Sequence, residues 1–75
     1  MPISVALQAG FISKLIDDQI TNISEANKRA YLEVFLRTLR PLVLDALVRH
    51  KAGFKNGELV AEIIARHKAE IPNAW

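Results

Sequence analysis

Seventy-five residues without a single cysteine leave few routes to stability: a chain this short buries only about 60% of its unfolded surface, and neither disulfides nor thiolate metal sites can reinforce it. The hydrophobic share of 51% is high for a small monomer with so much surface, so packed helices and self-association are the expected remedies. The net charge of +2 is too small by itself to predict a nucleic-acid or membrane partner.

Helical periodicity runs through the chain, and no stretch alternates apolar and polar residues long enough to make a strand. The first predicted helix spans roughly Ser4 to Ile20 with Ser4 as N-cap; Val5, Ala9, Ile12, Ile16 and Ile20 form one stripe. Leu7, Phe11 and Leu15 fall beside it, so more than half the circumference is apolar and the helix needs partners on two sides. After a turn at Thr21 to Ser24, with Ser24 as N-cap, a long helix is predicted from about Glu25 to Ala52. Pro41 either kinks that helix or divides it; one kinked helix is preferred because the apolar stripe keeps its phase across the proline. Arg49, His50 and Lys51 suit its C-terminal dipole, and Gly53 suits a left-handed stop. The last helix is read from an Asn56 N-cap to about Glu70, ended by Pro72. Leu59, Val60, Ile63, Ile64 and Ile71 face inward, His67 lies on the apolar side, and Glu62 pairs with Arg66 outside. The expectation is a single all-α domain over residues 1–75, a helical hairpin plus a short C-terminal helix, pairing into a dimeric four-helix-type bundle. Ile12, Ile16, Leu32, Phe35, Leu36, Leu39, Val43 and Leu47 are the candidate core and dimer residues.

Chemistry is poorly provided for. Asp17 and Asp18 are adjacent, point about 100° apart on a helix and suit a solvated helix end. His50 and His67 stand on different elements, and no phosphate loop or metal motif is present. No catalytic residue, cofactor or metal site is expected. A helix-turn-helix centred on residues 50–57 would present GELVAEII to a major groove, without base-reading side chains. The N-terminal stretch lacks a basic leader, and Lys14, Asp17 and Asp18 interrupt any membrane span, so an intracellular, cytoplasmic chain with no membrane contact is expected.

Charge distribution says more than net charge. Residues 26–55 carry seven Lys and Arg against only Glu33 and Asp45. Projected at about 100° per residue, Arg29, Arg37, Arg40 and Lys51 share one sector of the long helix over about 33 Å, with Lys28 next to Arg29 in sequence. Tyr31, Leu32, Phe35, Leu36, Leu39, Leu42, Val43, Ala46 and Leu47 occupy the other. Such a row could follow a nucleic-acid backbone without reading bases. A solvated cationic face, with Glu33 between Arg29 and Arg37 as i,i+4 partners, has the same pattern.

A short first helix, a long second helix bearing spaced Arg and Lys, and a short terminal helix, opened by Met-Pro, resemble in architecture the small RNA-silencing suppressors of insect nodaviruses. That resemblance implies an antiparallel helical dimer lying along double-stranded RNA. Phosphate contacts would fall to Arg37 and Arg40, flanked by Arg29 and Lys51. The expected function is therefore non-catalytic, shape-based binding of double-stranded nucleic acid, RNA favoured, by a homodimer. The alternative is a small inhibitor or adaptor that docks on a larger protein through exposed apolar helix surface, with Phe54 and Trp75 as anchors.

Overall fold

The structure is a computed structural model and describes residues 4–71 and residue 73; the expected stop at Pro72 and the anchor Trp75 lie outside the described residues. The all-α expectation holds: α1 (Val5–Ile20), α2 (Glu25–Leu36), α3 (Pro41–Arg49) and α4 (Gly57–Glu70) follow in order, with a 3₁₀ turn at Lys51–Gly53 between the last two. Both serine caps form as read. Ser4 Oγ accepts the Leu7 N–H at 3.2 Å and Ser24 Oγ the Asn27 N–H at 3.4 Å, each satisfying one of the amides that a helix start leaves unpaired.

The preferred single kinked helix is corrected: Pro41 divides it. Proline has no N–H for the Arg37 carbonyl and pushes the preceding residue out of helical geometry. Arg40 accordingly sits at φ −69°, ψ 149°, and Pro41 becomes the first residue of α3, where a missing N–H costs nothing. The last turn of α2 closes on itself instead, with Thr38 and Leu39 donating to the Phe35 and Leu36 carbonyls at 3.1 and 3.2 Å. The apolar phase does not carry across the break, and Leu42, expected inside, is 63% exposed.

Two further stop and start signals work differently from the reading. No described glycine has positive φ, so Gly53 is not a left-handed cap; its N–H closes the 3₁₀ turn on the His50 carbonyl at 2.9 Å. Asn56 precedes α4 but makes no side-chain cap; its Nδ2 donates to Asp17 Oδ1. Ile71, expected inward, is exposed.

α1 packs on α3, α3 on α4, and α4 on α2. Arg40 donates to Gln8 Oε1 at the start of α1, and Asp17 near its end binds Lys55 and Asn56 beyond α3, so α1 and α3 run in the same sense. Ion pairs Asp45–Lys68 and Lys51–Glu58 fix α3 and α4 as antiparallel neighbours. Their shared core holds Ala9, Ile16 and Ile20 from α1, Leu32 and Leu36 from α2, Leu44, Ala46 and Leu47 from α3, and Val60, Ile63 and Ile64 from α4. Of the expected core residues, Ile16, Leu32, Leu36, Val43 and Leu47 are buried, while Ile12, Phe35 and Leu39 pack against the cluster. All eight thus pack in or against the chain's own interior.

Candidate functional site

Dividing the long helix removes the single projection from which the row of cations is read, because residues on α2 and α3 no longer share one helical phase. Each expected member also meets its own surroundings. Lys28 pairs with Glu25 at 3.3 Å, and Lys51 with Glu58 at 3.5 Å. Arg29 is half-buried and pairs with Glu62 at 2.7 Å, tying α2 to α4; Glu62 therefore serves Arg29 rather than the expected Arg66, and Glu33 is not Arg29's partner. Arg40 Nη2 donates to Gln8 Oε1 at 3.1 Å. Arg37 alone among the five is exposed with a guanidinium in no ion pair or hydrogen bond among the described residues.

Arg37 lines an open cavity of about 110 Å³ between α2 and α4, over a floor of Leu36, Ile63 and Ile64. Glu33, Arg66, His67 and Glu70 share its rim. Acids and bases are mixed there, so it presents no single sign of field to a phosphate chain. Among the described residues no three His, Asp or Glu side chains group as metal ligands, and no helix is long and apolar enough to cross a membrane.

An exposed apolar stripe runs along α1. With Ile16 set at the centre of the buried face, Leu7, Phe11 and Leu15 project at about 180°, 220° and 260°, on the opposite side of the helix. They are 55%, 61% and 44% exposed, whereas Ile16 is 0% exposed. The requirement for partners on two sides is thus half met within the chain: Val5, Ala9, Ile12, Ile16 and Ile20 face the core and the outer stripe faces water. Of the other exposed large apolar side chains, Tyr31 and Val34 are neighbours on α2, Leu42 lies on α3, Ile23 between α1 and α2, and Ile71 after α4; Tyr31 stacks on Phe35 with centroids 5.8 Å apart. Phe54, expected as an interface anchor, is half-buried against the core.

Asp17, by sequence a solvated helix end, is instead a tertiary anchor. Its carboxylate accepts the N–H of Lys55 and of Asn56 and the Asn56 side-chain amide. Nothing near Asp17 in sequence signals partners almost forty positions away. Comparison with protein-family models, with curated proteins and with solved structures finds no match for this chain.

Proposed function

We propose that the protein is a non-catalytic helical interaction module that works by burying the outer face of α1 against another polypeptide. The observation that carries this reading is the exposed Leu7, Phe11 and Leu15 stripe on a helix whose opposite face already fills the core. Contiguous apolar surface of this kind marks interaction sites, and a large aromatic at its centre is a typical interface anchor. A photo-crosslinking residue placed at Phe11 in cells expressing the chain tests it. Adducts at position 11 but not at the exposed Glu70 are expected, and a chain that stays uncoupled at position 11 overturns the reading.

A second reading, contact with the backbone of double-stranded RNA, keeps one specific observation: Arg37 is exposed and outside any ion pair among the described residues. It is the weaker of the two, since Lys28, Arg29, Arg40 and Lys51 are each engaged within the protomer.

A further inference from the structure

We infer that the occupant of the α1 outer face is α1 of a second copy, packed antiparallel with Phe11 on the two-fold axis. This rests on the reading of α1 as the docking surface and names its partner.

The spacing of the stripe suits self-pairing. In a two-fold interface, if residue i meets residue j then j meets i. Leu7 and Leu15 lie four positions either side of Phe11, so an antiparallel copy centred on Phe11 places each Leu7 against Leu15 of the other copy and the two Phe11 rings together. The same three side chains then fill both halves of the interface. Offset or edge-to-face contact between the rings adds to the area they bury.

Charge selects the antiparallel sense. Asp18 is exposed in the last turn of α1, where the helix dipole disfavours an anion, and its carboxylate takes no ion pair or hydrogen bond among the described residues. The first turn of the same helix holds no acidic residue, although its unpaired amides favour one. Pairing about Phe11 sets Asp18 of each copy opposite Ser4, the N-cap of the other, so each end supplies what the other lacks. Parallel pairing would instead stack Asp18 on Asp18 and Lys14 on Lys14, like charges in both cases.

The chain contains no cysteine, so introduced thiols report without interference. Leu7→Cys and Leu15→Cys proteins, exposed sites in both cases, are mixed in equal amounts and oxidised. Antiparallel pairing predicts mixed 7–15 disulfides well above the half that random coupling gives; an excess of 7–7 and 15–15 products, or only random coupling, overturns the inference. Sedimentation of the full chain gives a second readout: a wild-type dimer, weakened at least ~3-fold by Asp18→Lys. A wild type that stays monomeric overturns self-pairing. Adducts of the position-11 crosslinker with a polypeptide of another mass would then leave the docking reading intact, whereas no adduct at all would remove both.

Discussion

The carboxylate of Asp17 holds Asn56 twice, accepting its backbone N–H at 3.1 Å and its side-chain amide at 2.8 Å, and takes the Lys55 N–H at 2.9 Å as well. The segment that turns the chain from α3 into α4 is thereby fastened to the far end of α1. Asn56 makes no side-chain cap, and this tertiary contact positions the start of α4.

Removing that carboxylate should cost more than an exposed helix residue does. Asp17→Ala strands the half-buried backbone and side-chain amides of Asn56 and gives the exposed Lys55 amide to water, a loss of about 1–3 kcal/mol. For a domain of this size each kcal/mol lowers the melting temperature by about 4–8 °C. Asp17→Asn keeps an acceptor oxygen and should lose less. Thermal unfolding checks both, and amide exchange at Lys55 and Asn56 should quicken in step.

Gly57 and Gly10 should respond to alanine in opposite directions. A Cβ at Gly57 would strike the Lys51 carbonyl oxygen and lie 2.9 Å from the Lys51 Cα, backbone atoms that cannot swing aside. Gly57→Ala should therefore separate α4 from the 3₁₀ turn and cost about 1–3 kcal/mol. Gly10 lies within α1, where an added Cβ would meet nothing within 4 Å, so Gly10→Ala should gain about 0.5–1 kcal/mol from helix propensity. Urea unfolding of the two variants beside wild type measures the contrast.

Local signals are legible in this sequence and tertiary ones are not. Ser4 and Ser24 can be read as caps because a cap's partners lie within one turn. The apolar stripe of α1 is readable for the same reason, and its surplus on the Leu7 and Phe11 side points to a second surface. At Pro41 the proline rule allows both outcomes, and apolar phase misjudges between them, since Leu39 and Val43 reach the interior from either side of a non-helical step. The projected basic row loses its basis as a consequence, because a helical projection is valid only along an unbroken helix. Partners of Arg29 and Asp17 lie more than thirty positions away, beyond any pattern of local spacing.

Salt dependence separates the two functional readings. Each phosphate neutralised on duplex DNA contributes a slope of about −0.9 in log affinity against log salt. An interaction module should bind duplex weakly, and Arg37→Ala, at the one unengaged member of the expected row, should make the slope shallower by about 1. A slope near about −4, reduced stepwise by Arg29→Ala, Arg40→Ala and Lys51→Ala, would restore the row as a nucleic-acid interface.

In the proposed division of labour on α1, the Ile16 side holds the protomer together and the Phe11 side holds a partner. Ile16→Ala should cost about 2–5 kcal/mol at any concentration, a large share of the roughly 4–11 kcal/mol available to 75 residues. The direct test is the melting temperature of wild type and Phe11→Ser across a wide range of protein concentration, because association with the folded form makes stability concentration-dependent. Division of the two faces, with a second copy as the partner, predicts matching temperatures when dilute, then a rise with concentration for wild type that Phe11→Ser lacks. A loss in Phe11→Ser of the same size at every concentration would contradict it, since Phe11 would then belong to the protomer's own core.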